Sequence, residues 1–282
     1  MTVNAALSDA FDPRTTLARP DLAERALEGL LRASAYGDVT PMQCTASVAP
    51  LRPQPGGRQE DQLIFGEIFD VLEEADGLAW GRSRRDGYVG HVDIEALSAP
   101  VVMPTHRVGA IRTYAYSEPD FRSGPAMLLS LNALVAAGER QGRFVRADRA
   151  GWIALDHLAA FDIFDNDPAA VAERFVGAPY QWGGRESLGL DCSGLVQQAL
   201  YACGRGCPRD ADQQADLGSA IEAADLRRGD LAFWTGHVGV MVDAAHLLHA
   251  NAHHMAVAIE PLAEADARQQ AAGSAPPTFR RL

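Results

Sequence analysis

Asp191-Cys192-Ser193-Gly194-Leu195-Val196-Gln197-Gln198-Ala199-Leu200 decides how this chain is read. Leu195, Val196, Ala199 and Leu200 fall on one side of a 3.6-residue period, so the run reads as a helix with an apolar face. Asp191 and Ser193 are good helix starters, and Gly194 leaves room near the first turn. Cys192 therefore sits at or just before a helix N-terminus, where unpartnered backbone N–H groups and the macrodipole favour negative charge. A thiol so placed is expected to lose its proton more easily, and the thiolate is the nucleophile. Most cysteines are small buried hydrophobes, but a packing cysteine has no need of a polar, glycine-flanked helix start.

A thiolate needs a base. Leu231-Ala232-Phe233-Trp234 and His237-Val238-Gly239-Val240-Met241-Val242 read as two strands joined by Thr235-Gly236. The two-residue period puts His237, Gly239 and Met241 on one face and Val238, Val240 and Val242 on the other. His246-Leu247-Leu248-His249-Ala250-Asn251 follows as a third apolar segment. A Cys, then a His, then a further polar residue is the chain order of papain-like thiol hydrolases. In that order His237 takes the thiol proton, and His249 holds its far ring nitrogen and fixes the tautomer. His246 and Asn251 are the alternatives for the third position.

These residues carry a resemblance. Tyr180-Gln181-Trp182-Gly183-Gly184, Asp191-Cys192-Ser193-Gly194-Leu195-Val196 and Pro208-Arg209-Asp210 come first. Arg228-Gly229-Asp230-Leu231, Gly236-His237-Val238-Gly239 and Leu248-His249-Ala250 continue the series. Together they resemble, in family order, the NlpC-type family of bacterial cell-wall cysteine peptidases, over roughly residues 165–262. The resemblance implies a papain-like fold, Cys192 as nucleophile, His237 as base and His249 as third member. It also implies that Tyr180 lies near the thiol and, with the Cys192 backbone N–H, stabilises the oxyanion. Donors there count because that charge develops only in the transition state.

Composition sets outer limits. The chain has 282 residues, which suits two or three domains, and 47% of them are apolar, enough for proper cores. Its net charge of −12 argues against nucleic acid, anionic lipid and teichoic acid as partners. A negative field does suit a substrate with a free ammonium group. The first ten residues lack the basic patch and apolar core of a secretory signal, and the apolar-rich residues 126–138 are too short for a bilayer span. Four cysteines, one needed as a free thiol, leave no full disulfide framework. The expectation is a reduced, cytoplasmic protein.

Four segments follow in order. Residues 1–45 are read as an N-terminal arm, with Leu22, Ala26, Leu27 and Leu30 as the apolar stripe of a helix capped by Asp21. Residues 46–100 and 101–162 change to short apolar runs punctuated by Gly, Pro and charge, a strand-and-turn texture. Gly87-Tyr88-Val89 and Gly151-Trp152-Ile153, each with a later Leu, suggest a loose duplication in which the aromatic residues lie 64 positions apart. The pair resembles tandem bacterial SH3-like barrels. Residues 163–282 hold the catalytic region, entered through the acidic linker 162–168, and the tail 263–282 is read as late-packing or mobile. The fold class expected is α+β: a papain-like domain, its Cys helix packed on an antiparallel sheet, behind two small all-β barrels.

Substrate choice rests on the resemblance. In exported relatives such barrels anchor the wall polymer. In a cytoplasmic subgroup, the γ-D-glutamyl-L-diamino acid endopeptidases (dipeptidyl-peptidase VI), the first barrel walls off the cleft. Only peptides beginning with a free L-Ala amine then fit, and the bond after γ-D-Glu is cut. Asp210 matches the subgroup's amine-binding acid, although Ala211 replaces the usual Ser. A hydrogen bond to a charged group contributes about 1.5–3 kcal/mol. Glu60, with Asp61 as competitor, stands where the second acid is placed, and Tyr88 corresponds to an aromatic lining the same end. Trp182 belongs to the mouth of the cleft, and Asp191 and Ser193 either touch substrate or cap the helix. Cys203 and Cys207 have three residues between them and no second pair, so they do not read as a zinc knuckle with His253 and His254. Cys44 reads as packing and Asp230 as a turn residue. No metal or cofactor is implied, and the oligomeric state is open. The leading expectation is a recycling peptidase for wall-derived peptides. The alternatives are an exported hydrolase of intact peptidoglycan, a non-catalytic wall-binding scaffold and a papain-like acyl transferase.

Overall fold

The computed structural model describes residues 11–282. They divide into two compact units, the first ending at Pro104 and the second spanning Thr105–Leu282.

The first unit is all β, apart from two single 3-10 turns. Ile68–Ala75, Leu78–Ser83 and Val89–Asp93 form a meander, with Thr40–Cys44 and Leu97–Ser98 completing a five-stranded antiparallel sheet. Val48–Leu51 pairs with Asp61–Ile64 as a separate hairpin. Cys44, Leu51, Leu63, Phe69, Val71 and Val92 fill the core between them.

Two expectations are corrected here. Thr40–Cys44 is hydrogen-bonded into the barrel, so this domain begins before residue 46. The N-terminal helix does not form either. Leu22–Glu24 is a strand, paired in parallel with Ala35–Gly37, and Arg25–Leu27 is one 3-10 turn. The apolar stripe is not a packing face, because Leu30 is 67% exposed while Ala23 is fully buried. Tertiary pairing overrides a weak helical period here. Glu24 accepts two bonds from Arg82, at 2.7 and 3.0 Å, which fixes the strand.

The second unit starts with the other barrel. Its five-stranded sheet has Arg112–Tyr116 beside Gly151–Ala154 and is edged by Pro125–Ser130 and Ala137–Gln141, with His106–Val108 between Leu134–Val135 and Leu158–Ala160 in a second sheet. The duplication is visible as a strand, a 3-10 turn and a strand in both barrels. Its register, however, matches Ile94–Ala96 to Leu155–His157, 61 positions on, so Tyr88 and Trp152 are not equivalent.

The catalytic region is an α+β layer structure. Leu231–Trp234, His237–Met241, His246–Asn251 and Ala256–Pro261 form consecutive antiparallel strands. Trp234 pairs with His237 across the Thr235-Gly236 turn, where Gly236 takes φ +71°. The tail does not stay loose: Leu262–Ala271 is a helix, and Thr278–Arg281 lies inside the sheet between Ser219–Ile221 and Leu231–Trp234. Arg281 locks it with 2.8 and 2.7 Å bonds to buried Asp230.

The Cys192–Ala202 helix packs on the face bearing Val238, Val240, Leu248 and Ala250. The Leu262–Ala271 helix covers the face bearing Met241 and Leu247. All eleven residues of the Cys helix are buried, its polar side included. The second barrel supplies the cover: Leu131 enters the same core, and Asn132 donates to the Gln198 carbonyl and side-chain oxygens at 2.9 Å. Arg107, buried, donates to the carbonyl of Ala202 at the far end of the helix.

Candidate active site

Asp191 is the N-cap of the Cys helix, its Oδ1 accepting the Gly194 N–H at 2.8 Å. Its Oδ2 accepts the Gly183 N–H at 2.8 Å. Arg209, 1% exposed, donates to both Asp191 oxygens, at 3.0 and 2.6 Å, and to Ser193 Oγ at 2.7 Å. Asp191 and Ser193 are thus built into the scaffold that fixes the helix tip. Gly194 is required there, because a Cβ would lie 2.3 Å from the Gly184 carbonyl oxygen.

Cys192 opens the helix, so its own N–H has no intrahelical acceptor and remains available to an oxyanion. Cys192 is 8% exposed, and its sulfur receives the backbone N–H groups of Val238 and Ser193. The expectation of an acidic thiol is corrected. Burial, then the Asp191 charge, push Cys192 up to about 12, outweighing those N–H groups and Arg209. The resting thiol is neutral. Tyr180 is likewise pushed up to about 12, chiefly by burial and further by the Asp191 charge, so it keeps its proton and can donate.

The Val238 N–H at the sulfur puts His237, the preceding residue, at the same spot on the sheet rim. His237 Nε2 lies 2.7 Å from His249 Nδ1. The rings meet across Gly239, where a Cβ would come within 3.1 Å of His249 Cβ and 2.7 Å of Leu247 Cδ1. His249 is the imidazole joined to His237; His246 is exposed and bonds Asp243, and Asn251 accepts from His254. Burial lowers His237 to about 3 and His249 to about 4. Both are neutral imidazoles at neutral pH.

Two site residues escaped sequence reasoning. His249 Nε2 lies 2.6 Å from Glu260 Oε1, and both Glu260 oxygens receive the Arg268 guanidinium, at 3.0 Å on Oε2. Burial alone would raise Glu260, but Arg268 and His249 hold it below the usual carboxylate range. His249, His254 and Glu260 bring ligand atoms within 4.8 Å of one another. The guanidinium on the carboxylate makes this an ion pair instead of a cation site.

The remaining candidates are placed as follows. Asp210 is half-buried and caps the short Ala211–Gln214 helix, its N–H reaching Gln213 Oε1 at 3.3 Å. Trp182 is exposed. In the first unit Glu60 is half-buried and pairs with Arg58 at 2.9 Å, Asp61 is fully buried, and Tyr88 is packed in the barrel core.

Residues 177–274 match the NlpC/P60 family, and residues 51–97 match the bacterial dipeptidyl-peptidase Sh3 domain. The chain carries an NlpC/P60 domain. A γ-D-glutamyl-L-lysine dipeptidyl-peptidase of Bacillus subtilis is 35% identical over 115 residues, 38% of this chain and 37% of that protein. A probable endopeptidase of Mycobacterium tuberculosis is 34% identical over 90 residues, 31% of this chain and 23% of that protein. The alignments thus span well under half the length of these relatives. The crystal structure of an NlpC/P60 family protein from Bacillus cereus superposes with a TM-score of 0.75 at 18% identity. It covers 86% of this chain and 99% of that one, and it establishes the shared papain-like and SH3-like fold. Among the described residues no helix is long and apolar enough to cross a membrane.

Proposed function

We propose that this protein is a cysteine peptidase that cleaves the γ-D-Glu–diamino acid bond of wall-derived peptides with a free N-terminal L-Ala. The bonded series His237–His249 beside the Cys192 helix tip is the observation that supports it most directly. The Cys192 proton passes to the His237 nitrogen not held by His249 as the sulfur bonds to the γ-carbonyl carbon. The oxyanion is met by the Cys192 N–H and the Tyr180 hydroxyl. The C–N bond breaks as the imidazolium returns the proton to the leaving amine. Water, deprotonated by His237, then releases the thioester as L-Ala-γ-D-Glu.

Two observations favour this substrate. A Bacillus subtilis relative is named for γ-D-glutamyl-L-lysine, and a dipeptidyl-peptidase Sh3 domain precedes the catalytic region. Asp210 is assigned to the ammonium group and Trp182 to the substrate path. A role in recycling wall peptides inside the cell follows from that selectivity.

Incubation with L-Ala-γ-D-Glu-diaminopimelate, its N-acetylated form and purified sacculi, with products followed by mass, tests the proposal. Cleavage of the free-amine peptide alone, lost in Cys192→Ala, is the expected result. Release of material from sacculi would transfer the proposal to wall hydrolysis, and absence of any turnover would leave a binding protein.

A further inference from the structure

We infer that Glu260 and Arg268 are positioning residues that set the proton arrangement of both imidazoles and so make His237 a base. The inference rests on the peptidase reading, but its first step is independent of any substrate. Glu260, 7% exposed, can accept but not donate while ionised, and the Arg268 guanidinium on both its oxygens keeps it so. His249 Nε2, 2.6 Å from that carboxylate, must therefore carry the proton. A neutral imidazole has one N–H, so His249 Nδ1 is an acceptor. His237 Nε2, at 2.7 Å, must then be the donor, which leaves the lone pair of the neutral His237 ring on Nδ1. Each tautomer follows from the one beyond it, and the series begins at the Glu260–Arg268 pair.

The architecture that holds this pair is specific. Leu247 pairs with Glu260 and His249 with Ala258, so His249 and Glu260 are diagonal neighbours on one face of the sheet. Arg268 comes from the Leu262–Ala271 helix, which packs on that face. The other titratable group facing Glu260 is His254, with Nδ1 4.0 Å from Oε1 and 3.0 Å from Asn251 Oδ1. When the thiol proton reaches His237, the buried carboxylate at the far end of the series stabilises the imidazolium, opposing the Arg268 charge that keeps it ionised.

Three variants and one spectrum test this. In wild-type protein at pH 7, nitrogen NMR is expected to show His249 protonated at Nε2 and His237 at Nε2. Glu260→Gln is expected to mix the His249 tautomers and to lower kcat by about 10–100-fold with KM within about twofold, the scale seen when an outer partner of a functional histidine is removed. Glu260→Asp, which keeps the charge, is expected to restore the wild-type tautomer signature and part of kcat. Arg268→Met removes a charge that holds Glu260 and His249 down, so the acid limb of the rate profile is expected to move to higher pH. A wild-type His249 protonated at Nδ1, or a Glu260→Gln protein with unchanged tautomers and kcat, would overturn the inference while leaving the peptidase reading intact. Loss of that reading in the peptide assay would leave the tautomer series measurable by the same spectra.

Discussion

Arg209→Met is the sharpest structural perturbation available near the thiol. The guanidinium makes three side-chain bonds of 2.6–3.0 Å to Asp191 and Ser193 in a setting where its side chain is 1% and that of Asp191 9% exposed. Removing it strands a carboxylate that retains two backbone N–H partners, Gly183 and Gly194. Breaking a buried pair from one side costs about 3–5 kcal/mol. For a unit of this size that corresponds to a fall of roughly 6–20 °C in the midpoint of its thermal transition. The companion Asp191→Leu/Arg209→Met replaces the pair by apolar groups, which is often neutral in itself, and loses an N-cap of about 1 kcal/mol. Calorimetry of the three proteins is therefore expected to place the double variant above Arg209→Met. A single variant within 3 °C of wild type, or a double variant below it, would refute the view that an uncompensated Asp191 charge dominates.

Other expectations follow from the same geometry. With Cys192 pushed up to about 12, iodoacetamide labelling at that site, read by mass, is expected to rise steadily through pH 6–9; a plateau below pH 6 would reveal a resting thiolate. With His237 near 3 and His249 near 4, the acid limb of kcat/KM is expected near pH 3–4 and not at the usual imidazole value. Gly239→Ala drives a methyl into Leu247 and His249 and is expected to lower kcat by about 10–100-fold, measured with the free-amine peptide. Burial would raise Asp230, but Arg281 and the Arg227 N–H hold it below its ordinary value, so its stabilisation is present above the unfolded carboxylate pKa and is lost as pH falls through the folded one. Asp230→Asn is accordingly expected to lower the unfolding midpoint at pH 7, with the gap to wild type closing toward pH 2.

Much of the catalytic layer was legible in the sequence because its signals are local. Asp191-Cys192-Ser193-Gly194 announces a capped helix tip, and the alternation of 237–242 announces a strand with a valine face that packs under that helix. Glu260 was hidden by the same logic. In Ala256–Pro261 the apolar pattern suggests burying Val257 and Ile259 and exposing Glu260. The structure instead leaves Ile259 45% exposed and buries Glu260, because the helix after it brings Arg268 across that face. The proton state of Cys192 was misjudged because a helix terminus is visible in sequence, whereas the depth of the sulfur is not. The residue 22–30 stripe failed for the converse reason: Gly29 takes φ +84° and a partner strand thirteen residues on captures Leu22–Glu24.

Acyl transfer through Cys192 is the central step of the proposed reaction. Rapid quenching of the protein with L-Ala-γ-D-Glu-diaminopimelate, followed by peptide mass mapping, reads that step directly. The predicted result is a hydroxylamine-labile alanyl-glutamyl group on the peptide containing Cys192, absent in Cys192→Ala. Turnover that persists in Cys192→Ala, or an acyl group carried by another residue, would contradict it.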